Sequence, residues 1–159
     1  MKTLLRVGYN AVLLFYAALL FHTVFIARDD KRSINLIPFD MIAAEGLSLN
    51  VWGNIVMFIP LGVYVANYLK KLKKRHFWYA LLIVMLTSIV IECVQFIAKR
   101  GATDIDDVLL NTFGGLLGMM LFAGCKYMFP QRLQQVLSII SLAVGVPVML
   151  LVVLLIVIN

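Results

Sequence analysis

The chain is short of charge, and of acid most of all. Charged residues make up 14% of its 159 residues and hydrophobic ones 63%. A soluble core of this length has no use for so much apolar surface, so the bilayer is the expected solvent. Eight Asp and Glu stand against fourteen Lys and Arg, a net charge of +6. In a soluble chain that excess would suggest nucleic acid or acidic lipid. In a membrane chain it reflects basic loops held on the cytoplasmic side, so nucleic acid is not an expected partner. Cysteine is scarce as well. Cys93 and Cys125 both fall in apolar runs, where a thiol behaves as a small hydrophobe. The sequence has no CxxC, no Cys/His cluster, no HExxH and no EF-hand spacing, so neither a metal nor a cofactor is expected. Internal repeats of the kind found in many secondary transporters are also missing.

Apolar runs are what the chain has in abundance. Five of them, over residues 7–27, 51–69, 77–98, 105–129 and 136–158, come near the ~20 residues a membrane-crossing helix needs. They predict an all-α, polytopic membrane helix bundle of about five transmembrane helices, in one domain over residues 1–159. The first run is too long for a signal-peptide core and no small-x-small cleavage site follows it, so a retained helix is expected. The fifth carries no charge and reads as an anchor or wall, with Gly145 and Pro147 as tolerated kinks.

Orientation follows from the basic residues. Lys70, Lys71, Lys73, Lys74 and Arg75 crowd the loop between the second and third runs, which places it in the cytoplasm. Lys2, Arg6, Lys126 and Arg132 then fall on the same side, while Arg28, Lys31, Arg32, Lys99 and Arg100 fall outside. The N-terminus is therefore expected in the cytoplasm and the C-terminus outside. All eight acids sort to the outer side or the outer half of a helix. The topology rule barely counts acids, so this segregation is separate information. In the first outer loop Pro38 predicts a turn and Asp40 an N-cap, with Met41, Ile42 and Ala43 opening a short helix at the interface.

Polar residues cluster around the join between the third and fourth runs. Glu92, Gln95 and Lys99 are spaced i, i+3, i+7 on one face of the third, and Asp104, Asp107 and Asn111 repeat that spacing on the fourth. An ionised Glu inside a bilayer costs at least a few kcal/mol, so it persists when paired, solvated or used. Glu92 therefore has two readings: an ion pair with Lys99 or Arg100, or a functional group. Thr103 followed by Asp106 resembles a capping box, which makes Asp106 structural, whereas Asp104 and Asp107 share a face with Asn111 and are site candidates. In the second run Asn54 reaches a similar depth, Pro60 releases the carbonyl of Val56, and Gly62 permits close packing. Gly114 and Gly118 form GxxxG, with Gly115 on the same smooth surface, and are read as helix-packing positions. His22, near the outer end of the first run, joins this set only if that helix packs beside the third and fourth.

With these residues placed, the chain resembles the VanZ-like family of small membrane proteins. The likeness rests on N-x-x-x-F-x-P-x-G from Asn54 to Gly62, E-x-x-Q from Glu92 to Gln95, and D-x-x-D-x-x-x-N-x-x-G-x-x-x-G from Asp104 to Gly118, with NLIPF at Asn35 to Phe39. Many members carry an Arg three residues before the first Asp. Here that position is Gly101, and Arg100 stands one place away. The resemblance implies a role in resistance to teicoplanin or related lipoglycopeptides in a Gram-positive bacterium, at the cell envelope. It implies no reaction. The expected site is Asn54, Glu92, Gln95, Arg100, Asp104, Asp107 and Asn111, facing the outer side of the cell membrane. Its expected partners are membrane lipid, the antibiotic or a lipid-linked cell-wall precursor. The rival reading is an intramembrane enzyme acting on such a precursor, with buried carboxylates as acid–base groups.

Overall fold

The computed structural model describes residues 2–25, 33–70, 76–98 and 102–158. In chain order the elements are α1 (Lys2–Phe25), β1 (Ser33–Asn35), α2 (Asp40–Glu45), α3 (Leu49–Leu69), α4 (His76–Ala98), β2 (Ala102–Asp104), α5 (Ile105–Met128) and α6 (Leu133–Ile158). Five of the helices, all but α2, are long and apolar enough to cross a membrane, and the all-α membrane bundle read from the sequence is the fold observed. Most of the loop lysines, together with Lys99, Arg100 and Gly101, lie outside the described residues.

The chain forms two compact units, one of residues 1–21 with 123–159 and one of residues 22–122. In the first, α1 and α6 meet at small residues. A Cβ on Gly8 would touch the Leu142 side chain, and one on Gly145 would overlap Val12. Gly145 is thus a packing position, not a kink, in a helix that runs unbroken from Leu133 to Ile158 with Pro147 inside it. A proline forfeits one backbone hydrogen bond, and the neighbouring turns hold the helix together around it.

The second unit is built on α3, α4 and α5. Helix α5 shows small residues to both neighbours. A Cβ on Gly114 or Gly118 would strike the carbonyls of Ile55 or Ile59 on α3, and one on Gly62 would strike the carbonyl of Gly115. On its other flank, Gly115 lies against the Val84 side chain of α4. Lipid tails are as apolar as Leu, so helix association in a bilayer draws on close packing, which glycine permits. These are the packing residues named from the sequence, and Pro60 sits within an uninterrupted α3.

At one end of this unit β1 and β2 pair in parallel, with Ser33 opposite Ala102 and Asn35 opposite Asp104. The helical reading included no such ladder. It joins the loop before α3 to the loop before α5, so both lie at one end, as alternate crossings require. At the opposite end of α3 and α4, Tyr68, Trp78 and Tyr79 are exposed, as suits anchors at a membrane interface.

Between β1 and α3 the chain turns at Pro38. Phe39 follows with φ 66 and ψ 11, and the Asp40 N–H donates to the Ile37 carbonyl at 3.4 Å, which makes a type II turn. The short helix α2 follows as expected, but its N-cap is Phe39 and not Asp40. Met41 and Ile42 pack against a cluster of Val51, Ile55 and Leu110, which seats α2 on α3 and α5.

The glycine contacts are with backbone, which cannot swing aside. Gly62→Ala, Gly114→Ala and Gly118→Ala are each expected to destabilise the protein by about 1–3 kcal/mol, the usual range for overpacking. Gly124→Ala, where an added Cβ meets nothing within 4 Å, is expected to be neutral. Thermal unfolding of the four variants in detergent checks this.

Candidate functional site

The polar end of the second unit is assembled in two layers. The outer layer fastens the loop before α3 to the start of α5. Asp106 is 1% exposed, and its two oxygens accept from Phe39 N at 2.5 Å and Met41 N at 2.8 Å. This carboxylate, 65 residues away from Met41 in sequence, does for α2 what an N-cap residue does locally, and it stands at the positive end of the helix. It also holds Phe39 in the left-handed region, where a bulky side chain is strained. Asp104 caps its own helix by accepting from Asp106 N at 2.9 Å, so the cap of α5 is Asp104 and not Thr103. Asn35 links the pieces. Its Nδ2 donates to Asp40 Oδ2 at 3.0 Å and to Asp104 Oδ2 at 3.3 Å, and its Oδ1 accepts from Ile37 N at 3.0 Å.

The inner layer is made by side chains of the three helices that meet one another or β2. Glu92 of α4, 3% exposed, accepts from Asp104 N at 3.3 Å through Oε2. Asn54 of α3 donates through Nδ2 to Asp107 of α5. Asn111 of α5 donates through Nδ2 to Ser88 Oγ of α4 at 2.9 Å. Beside these groups lies a cavity of about 160 Å³, lined by Thr23, Leu49, Asn50, Gly53, Asn54, Met57, Phe58, Ile91, Glu92 and Asn111. The convergence read from the sequence is therefore present, since Asn54, Glu92 and Asn111 line one space from three spans.

The other candidates are placed differently. Asp107 is buried and reaches the cavity through Asn54. Gln95 is fully buried on α4, outside the lining. Asp104 binds backbone and Asn35 and does not line the cavity. Arg100, and with it the suggested ion pair to Glu92, falls outside the described residues. His22 is exposed, and it is the next residue, Thr23, that lines the cavity.

Several participants escaped the sequence reading although a signal for them existed. Asn50, Gly53 and Met57 share one face of α3 with Asn54, which the sequence did single out, at spacing i, i+3, i+4, i+7. Ser88 lies one turn before Glu92 on the same face of α4. The roles of Asn35 and Asp106 across the loop carried no local signal, because their partners are tertiary.

Asp106→Ala would leave two α2 backbone donors unsatisfied, at about 1–3 kcal/mol each. The expected result is a fall in thermal stability together with faster hydrogen exchange at residues 39–45. Asp40→Asn, at an exposed side chain, should change neither.

The sequence model of a family described as VanZ/LLP1 matches residues 10–129 of this chain. Protein VanZ of Enterococcus faecium is 35% identical over 114 residues, which is 70% of this chain and 66% of that protein. The match thus spans just under two thirds of that relative's length. No solved structure matches the chain.

Proposed function

The chain belongs to the VanZ/LLP1 family, and from that membership we propose that this multi-pass membrane protein contributes to resistance to teicoplanin or related lipoglycopeptides in a Gram-positive cell envelope. It acts by binding, at the polar cavity, a lipid headgroup or an exposed part of the antibiotic or of a lipid-linked cell-wall precursor. The observation that carries this reading is the meeting of Asn54, Glu92 and Asn111, from three separate spans, on one cavity. Polar side chains in spans are costly and mark sites of use.

Size narrows the choice of ligand. Pockets for drug-sized molecules run to roughly 300–1,000 Å³, whereas this one holds about 160 Å³. A whole lipoglycopeptide does not enter, but a headgroup or one protruding group does. Among the lining residues Glu92 is the one ionisable group, which favours binding over an enzyme needing an acid and a base together. The basic loop residues support a cytoplasmic N-terminus and an outer C-terminus, and with them a cavity near the outer face.

Cells expressing Glu92→Gln, Asp107→Asn or Asn111→Leu at wild-type surface abundance are expected to lose the resistance conferred by the unaltered chain. Full resistance in all three would overturn the proposal. For orientation, in a Cys93→Ser/Cys125→Ser background, Leu36→Cys is expected to react with an impermeant thiol reagent on intact cells. Gln131→Cys should react after lysis only, and the reverse pattern would invert the topology.

A further inference from the structure

We propose that the cavity selects a primary ammonium, a cation that donates hydrogen bonds, and rejects anions. This rests on the binding reading above and names the chemical class that the site takes. Of the three amides in the lining, Asn54 and Asn111 each have a donor hydrogen tied to a neighbouring side chain. Asn54 Nδ2 gives one hydrogen to Asp107 and Asn111 Nδ2 one to Ser88, which leaves each amide its carbonyl oxygen and one further N–H. The Asn111 side chain is 4% exposed, and its Oδ1 is buried with no hydrogen-bond partner among the described residues. A buried acceptor left in that state is destabilising, and a ligand that donates to it removes the penalty.

Glu92 adds a carboxylate to the same lining, and no Lys, Arg or His is among the described lining residues. A phosphate or carboxylate entering there would meet acceptors and like charge in a medium of low dielectric. An ammonium brings three donors and the opposite charge. Met57, Phe58 and Ile91 make up apolar wall, which suits the methylenes that adjoin an amine, while a quaternary, methylated nitrogen has no N–H to donate to the acceptors. A primary ammonium is carried by an ethanolamine lipid headgroup and also by soluble or antibiotic-borne amines. The shared chemistry is the –NH₃⁺ group, and the two sources are separable.

The test uses the full chain, purified in detergent and offered equimolar phosphatidylethanolamine and phosphatidylcholine of identical acyl chains, with bound lipid counted by native mass spectrometry. The expected result is an ethanolamine-lipid preference of about tenfold, the factor one charge-assisted hydrogen bond supplies, falling to parity in Glu92→Gln and in Asn111→Leu. The second variant reads the same site should the first fail to fold. No lipid preference, but a rise in melting temperature with free ethanolamine that Glu92→Gln abolishes, would support the ammonium and assign it to a soluble source. Equal binding of both lipids, reduced by Glu92→Gln, with ethanolamine inert, would overturn the ammonium and leave the binding reading standing. Lipid and amine binding indifferent to both substitutions would overturn both.

Discussion

Backbone contact between α3 and α5 is the constraint on which the second unit depends. Gly62, Gly114 and Gly118 remove the side chains that would hold the two helices apart, and carbonyls of one helix sit where a Cβ of the other would be. At that separation a short asparagine on α3 can reach a short aspartate on α5, as Asn54 reaches Asp107. With helices spaced by ordinary side chains, those two groups would be left to hydrocarbon, which no polar group tolerates unpartnered. The glycine stripe and the polar cluster are thus one device: close approach is what makes short polar side chains usable inside a bilayer.

Four acids of the second unit divide by partner into different kinds of work. Asp106 and Asp104, at the rim, bind backbone amides and hold the first loop and α2 to the head of α5. Carboxylates are strong partners for helix N-termini, where orphan N–H groups gather. Glu92 and Asp107 instead join the spans, Glu92 receiving a backbone amide of β2 and Asp107 a side-chain amide of α3. The rim layer is what closes the end of the bundle, and the inner layer is what shapes the cavity. A carboxylate count alone does not separate them, because Asp104, Asp106 and Asp107 sit within a few residues of one another in the chain.

The cavity owes its character to directions more than to composition. Amides can present either a donor or an acceptor, and the choice here follows from what stands behind each one. Asp107 accepts one N–H of Asn54 and Ser88 one N–H of Asn111, so the partners behind them fix how each amide is turned. The Glu92 carboxylate then adds a further acceptor to the lining. In the proposed binding role such a site would work by preorganised polarity in a small volume.

Much of this protein could be read from its residue order, for identifiable reasons. Long apolar runs have no stable place but the bilayer, so the five spans follow from length and hydropathy, and helical periodicity put Asn54, Glu92 and Asn111 on candidate faces before any packing was known. Glycine spacing likewise announced the close-packed helix face. What tertiary structure decided is which groups meet. Asp106 proved to be the cap of another helix, Asp104 the cap of its own, and Asn35 the link between them, while Asp40 lost the role its local sequence suggested. Gly145 became a contact for Val12, and Thr23 took the place at the cavity that His22 was offered. A capping signature is local and names only the residue types that can satisfy a helix end. Their partner is chosen by which segments fold against it, and that information is spread over the 65 residues between Met41 and Asp106.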